Sequence, residues 1–171
     1  MKTVQFERSA EIFWQGDVVR GSGRIVGGSS SFEIGVTFPT LRGEPAGVTT
    51  PEELLAGAHA ACFGIGLRSV IARRGGSASR IAVRAKIVAQ KGAGGIRIVR
   101  SHLTGFVYDL QGIDAAALND CALAAKDECT VSNALKGNVE IVLEVASSPA
   151  QANSEPVDQA RSASGQLRPV L

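Results

Sequence analysis

The chain is predicted to be an α+β domain, with antiparallel sheets wrapped around two central helices. Three observations lead there. Its segments run as three short strands, a helix, two strands, a helix and a last strand. The strands follow one another through glycine-rich turns, with no regular βαβ repeat, which disfavours a doubly wound sheet. The first helix is apolar almost all round, and such a helix is buried on most sides.

Each element has a local reason. Residues 2–14 alternate loosely, with Val4, Phe6 and Ile12 as apolar markers, and residues 17–26 and 32–38 read as further short strands between glycine and serine turns. Residues 39–50 (PTLRGEPAGVTT) form a loop rich in proline and glycine. A helix opens at Pro51 and is expected to run to about Arg74, where Gly75-Gly76 stops it; Arg68, Arg73 and Arg74 suit the negative end of its dipole. Ser79–Gln90 places Ile81, Val83, Ala85 and Ile87 on one face. A glycine turn then leads into Ile96–Leu110, and the two read as an antiparallel hairpin. Ile113–Glu128 is a second helix with Asp114 as its N-cap, Thr130–Leu135 extends or restarts it, and Gly137–Ala146 is the closing strand. This gives one domain over residues 1–146. Residues 147–171 hold three of the six prolines, five serines and no aromatic residue, and are expected to be a flexible tail.

Composition narrows the function. The chain has 171 residues and 44% apolar content, enough for one globular core. A formal net charge of +2, without a basic stripe, gives no electrostatic case for nucleic acid. No run of about 18 apolar residues is read as a membrane span, and the first eight residues lack a signal-peptide core, so a cytoplasmic protein is expected. The three cysteines, Cys62, Cys121 and Cys129, are an odd number and form no C-x-x-C pair. With His59 and His102 the only histidines, no zinc set of four closely spaced ligands is expected. Reduced thiols in such a chain are either core residues or chemistry.

The helix start, TTPEELLAGAHAACF, separates two glutamates. Thr50 is a good N-cap and Pro51 suits the first helical position. Thr50-x-x-Glu53 is a capping box, so Glu53 is expected to reach back to the Thr50 backbone N–H. Glu52 is left without a structural task beyond favouring the dipole. Glu52 and Cys62 are ten residues apart, about 15 Å along the axis, so Glu52 does not reach the Cys62 of its own helix. An antiparallel partner helix would bring Glu52 of one chain near Cys62 of another. The small residues Gly57, Ala58, Ala60, Ala61, Gly64 and Gly66 would let helices approach closely, which points to a homodimer around this helix.

A cysteine within a helix is ordinarily a small hydrophobe, inert when burial raises its pKa unless a cation lowers it. Arg42, on the polar loop before the helix, is the candidate cation. Cys121 and Cys129, about 12 Å apart on a continuous helix, cannot be joined without unwinding. Cys62 with Cys129 remains open.

These residues resemble a known family. "TTPEELLAGAHAACF" with "AKDECTVSNALKG" (residues 125–137), and "FWQGDVVRGSG" and "LRGEPAGVTTPEELL" before them, are similar to the OsmC/Ohr family of osmotically inducible and organic-hydroperoxide-resistance peroxidases. The resemblance covers about Phe6 to Ala146. "AHAACF" and the loop arginine are closer to the OsmC branch. The resemblance implies an OsmC-like fold assembled as an intertwined homodimer with two interfacial sites, no metal or other cofactor, and thiol-dependent reduction of organic hydroperoxides. Cys62 would be the peroxidatic thiol and Cys129 the resolving thiol, Arg42 would activate the thiolate, and Glu52 would orient the arginine. Arg20 is the alternative cation, by analogy with the Ohr branch. Where the family usually reads Cys-Pro-Val-Ser, this chain has Cys129-Thr130-Val131-Ser132 after Glu128. Losing the proline frees a backbone N–H, and the neighbouring glutamate would disfavour a Cys129 thiolate.

The expected cycle takes Cys62 to a sulfenic acid and then to a Cys62–Cys129 disulfide, reduced by an external dithiol, of which a lipoyl protein is one kind. Phe38 and Phe63 would form an apolar rim for the peroxide. His59 has packing and catalysis both open to it. Two other classes compete. One is a non-catalytic dimeric protein of the same fold that binds a small apolar ligand; the other is a Cys62–His59 hydrolase, for which a buried i, i+3 pair is poor geometry.

Overall fold

The computed structural model describes residues 3–38 and 47–148; the loop carrying Arg42 and the segment from 149 onward lie outside the described residues. The chain divides into two compact units after Leu55.

In the first unit, β1 (Ala10–Gln15), β2 (Ser22–Gly27) and β3 (Glu33–Val36) pair antiparallel in chain order. The strands are shorter than expected. Val4 and Phe6 precede β1 and are exposed. Asp17–Arg20 is a turn rather than the start of β2, because Asp17 Oδ1 accepts from the Val19 and Arg20 N–H groups at 2.8 and 2.7 Å. A side chain that takes local N–H groups offers the backbone an alternative to the ladder. After the undescribed loop, Thr49 returns beside Val36 in a parallel bridge and leads into α1 (Pro51–Arg73).

In the second unit, β4 (Arg80–Gly92) and β5 (Gly95–Tyr108) form the expected hairpin, from Arg80↔Tyr108 to Gly92↔Gly95. The last strand, β6 (Glu140–Ser148), corrects the expectation of purely antiparallel sheets: it pairs with β5 in parallel. The physical reason is the connection. A parallel neighbour needs a crossover of a dozen or more residues, and α2 (Ala115–Glu128) with α3 (Thr130–Leu135) supplies it. β6 also runs two residues past Ala146, with Ser147 and Ser148 paired to Val107 and Tyr108, so the segment expected as tail begins within the sheet.

The core of this unit lies between the sheet and the helices. Ser101, Leu103, Gly105 and Val107 form the buried face of β5, and Phe63, Leu67, Val70 and Ile71 of α1 join Leu118, Cys121, Ala122 and Ala125 of α2 against it. α1 ends as its sequence predicts. Gly75 takes a positive φ of 79°, and the bonds Gly76 N→Ile71 O (2.9 Å) and Gly75 N→Ala72 O (3.1 Å) make a Schellman cap. Two expectations for α1 change. It has one buried face, while Ala58, Ala61, Ile65 and Ala72 are exposed along the other, Ile65 at 74%. It is also, by length and composition alone, apolar enough to cross a membrane; the side chains it buries against β5 make it a core helix of this unit.

Candidate active site

The thiol chemistry gathers where α1 meets α3. α2 ends at Glu128 because Cys129 leaves helical geometry (φ −69°, ψ 118°), so the helix restarts at Thr130 rather than continuing. Cys129 caps the new helix: its Sγ accepts from the Ser132 N–H at 3.4 Å. This restart turns the first residues of α3 towards α1. Cys62, half-buried, has its Sγ 3.4 Å from Thr130 Oγ1. All three cysteines are free thiols.

The surroundings of Cys62 act on its acidity in two directions. Burial is the largest single influence and pushes the thiol up. It is outweighed by hydrogen bonds from the Thr130 hydroxyl, the Val131 backbone, the Cys129 thiol and the Thr130 backbone, so the Cys62 pKa lies below the ordinary thiol value. Donors that face the sulfur favour its charged form. Cys62 and Cys129, 67 positions apart in sequence, thus belong to one packed cluster, Cys62 lying against the core that contains Cys129, while Cys121 is fully buried in that core.

His59 is fully buried one turn before Cys62. Its Nδ1 lies 2.8 Å from Ser101 Oγ and its Nε2 2.8 Å from Ser132 Oγ. A neutral imidazole has one N–H and one acceptor nitrogen, so one serine accepts and the other donates. Burial lowers the His59 pKa. Both ring nitrogens are therefore taken by hydroxyls, which removes the Cys62–His59 hydrolase: the ring ties α1 to β5 and α3. The sequence reading missed both serines. Ser101 left a signal, since it is the one polar side chain in the alternating row Ser101, Leu103, Gly105, Val107.

The acidic residues divide differently from the expectation. The Glu53 N–H bonds Thr50 Oγ1 at 3.3 Å, half of the capping box. The Glu53 carboxylate instead accepts from the Thr49 hydroxyl at 2.7 Å. Glu52 Oε2 is buried without a hydrogen-bond partner among the described residues. Glu128 is held by Arg73, whose Nη2 lies 2.6 Å from both carboxylate oxygens. Its charge is matched by a cation rather than left bare beside Cys129.

Of the other expected site residues, Arg42 lies outside the described residues. Arg20 is exposed on the Asp17 turn of the first unit. Phe38 is 40% exposed in that unit. Phe63 corrects the expectation of a rim: it is fully buried, because its position on α1 faces the β5 core.

Comparison with known proteins addresses the family and the fold. The family model described as OsmC-like protein matches residues 43–144. The chain is 31% identical over 143 residues to the peroxiredoxin OsmC of Escherichia coli strain K12, covering 78% of this chain and 93% of that protein. It is 26% identical over 125 residues to the organic hydroperoxide resistance protein OhrB of Bacillus subtilis strain 168, covering 72% and 89%. Among solved structures, an organic hydroperoxide resistance protein from Elizabethkingia anophelis superposes with a TM-score of 0.70 at 26% identity, covering 86% of this chain and all of that one. The fold is shared with an OsmC protein from Legionella pneumophila at a TM-score of 0.69 and 21% identity. With the OsmC-like pattern matching residues 43–144 and a relative 31% identical over 78% of its length, the chain belongs to the OsmC-like family.

Proposed function

We propose that this protein is a cysteine-based peroxidase that reduces organic hydroperoxides to alcohols, in defence against oxidative or osmotic stress. The observation that carries the reading is Cys62 Sγ lying 3.4 Å from Oγ1 of Thr130, the residue next to Cys129, with the Cys62 pKa lowered. The names of the OsmC and OhrB relatives support the substrate class.

In the proposed cycle the Cys62 thiolate attacks the outer peroxide oxygen. The O–O bond breaks, the alkoxide leaves and takes a proton as the alcohol, and Cys62 becomes a sulfenic acid. Cys129 attacks that sulfur, forming the disulfide and releasing water. Cys129 must give up its cap on Ser132 to do so. An external dithiol, such as a dihydrolipoyl protein, then restores both thiols by exchange and is itself oxidised. A reducing compartment, the cytoplasm, suits this cycle.

Arg42 and Glu52 complete the site in this reading. The buried Glu52 oxygen, without a partner among the described residues, calls for a cation or donor, and Arg42 is the residue we assign to it, with Phe38 contributing to the apolar rim. Since Glu52 lies ten residues from Cys62 on α1, the assignment draws Glu52 from a second copy. The exposed stripe of Ala58, Ala61, Ile65 and Ala72 on α1 supports a homodimer.

The test is stoichiometric. Reduced protein mixed with one equivalent of cumene hydroperoxide should lose two thiols, and peptide mapping should find Cys62 joined to Cys129. Cys62→Ser should consume none, and Cys129→Ser should stop at a trappable sulfenic acid. Unchanged thiol content in the wild-type protein would sink the reading.

A further inference from the structure

Thr130 stands at the centre of the thiol cluster, yet the cycle above gives it no task. It follows Cys129, opens α3, and reaches back across the site to place Oγ1 3.4 Å from Cys62 Sγ. Its backbone amide is also among the groups that lower the Cys62 pKa. Among the described residues, Cys62 is the one side-chain partner of the hydroxyl.

We infer that Thr130 is a catalytic residue that holds the Cys62 thiolate with two donors, its hydroxyl and its backbone N–H. The inference rests on Cys62 as the attacking thiol. A threonine hydroxyl carries one O–H and two lone pairs and rotates to suit. It can accept from a Cys62 thiol and, after a turn about its C–O bond, donate to the thiolate. The second bond is charge-assisted and roughly twice as strong as a neutral one, so the residue favours the reactive form. The proline usual at this position in the family has neither group. Here, two of the four groups that draw the sulfur towards its charged form come from one side chain and its own amide. The departure from Cys-Pro-Val-Ser thus acts on the first step, the attack on peroxide, where the sequence alone directed attention to disulfide closure.

Three variants separate the parts. Thr130→Ser keeps both donors, Thr130→Val keeps the shape and the N–H but loses the hydroxyl, and Thr130→Pro loses both. The measurement is the pH dependence of iodoacetamide labelling at Cys62 in the full-length reduced protein, read by peptide mass spectrometry, beside the single-turnover rate with cumene hydroperoxide. The labelling midpoint should rise by about one pH unit in Thr130→Val, with a roughly tenfold slower peroxide step at pH values below it. Thr130→Ser should stay near wild type, and Thr130→Pro should shift at least as far as Thr130→Val. A residue that only fills space would leave Thr130→Val unchanged. An unmoved midpoint in Thr130→Val, with Cys62 still consuming peroxide, overturns the inference and leaves the peroxidase reading standing. If wild-type Cys62 ignores peroxide, the peroxidase reading fails and this catalytic role with it. Should the proline variant misfold, the valine and serine pair still decides.

Discussion

The two units of this chain bury their apolar residues very differently. In the second unit, Phe63, Leu67, Ile71, Leu103 and Val107 are all sealed between one sheet face and two helices. In the first, Ile12 and Phe13 are 56% and 49% exposed although they are neighbours on β1. Successive strand residues point to opposite faces, so both faces of that sheet show apolar side chains to solvent. Phe32, Ile34 and Phe38 add to this surface. A three-stranded sheet needs one face covered to be stable. The contrast teaches that the second unit can supply its own core, whereas the first calls for a covering surface, which the proposed second copy would provide.

The comparison can be tested at its strong end first. Phe63→Ala removes a fully buried ring and should cost about 3–5 kcal/mol in a denaturant titration; a cost below about 1 kcal/mol would deny that this unit carries the core. Next comes the polar tie inside that core. His59→Gln should cost about 2 kcal/mol by stranding buried hydroxyls and should also change the pH response. Because burial lowers the folded-state pKa of His59, the unfolded chain binds more protons below about pH 6.5, the ordinary histidine value. The stabilisation is therefore complete above that pH and is lost as pH falls towards and through the lower folded-state value. His59→Gln should flatten this acid slope, seen by comparing melting curves between pH 5 and 7.

Smaller effects belong to the helix ends and the first unit. Thr50→Ala deletes the cap on Glu53 and should cost about 1 kcal/mol, measurable as a drop in melting temperature. Phe13→Ser should change the stability of an isolated chain by under about 0.5 kcal/mol, as exposed positions do. If a second copy covers the sheet, the same change should instead shift sedimentation towards monomer. Failure of that shift would break the proposed explanation of the contrast.

The sequence made α1 legible to within a residue, because its signals are local: Thr50 and Pro51 at one end, Gly75-Gly76 at the other. Asp114 as the N-cap of α2 was equally readable, and its side chain accepts from the Ala117 N–H at 2.8 Å. The capping box was only half readable, since the Glu53 carboxylate accepts from the Thr49 hydroxyl, a donor outside the box. The candidate thiols could be named from their motifs, but Phe63 could not be sorted from the rim into the core without knowing which face of α1 meets β5.

What the amino-acid sequence determined by itself was the set of elements and most of their caps, because propensity, capping and turn chemistry act over a few residues. Tertiary structure alone decided that β6 pairs parallel to β5, that His59 is held by Ser101 and Ser132, and that Thr130 meets Cys62. Those contacts join residues 42, 73 and 68 positions apart. They depend on how two helices and a sheet pack, and no short window of sequence encodes that geometry.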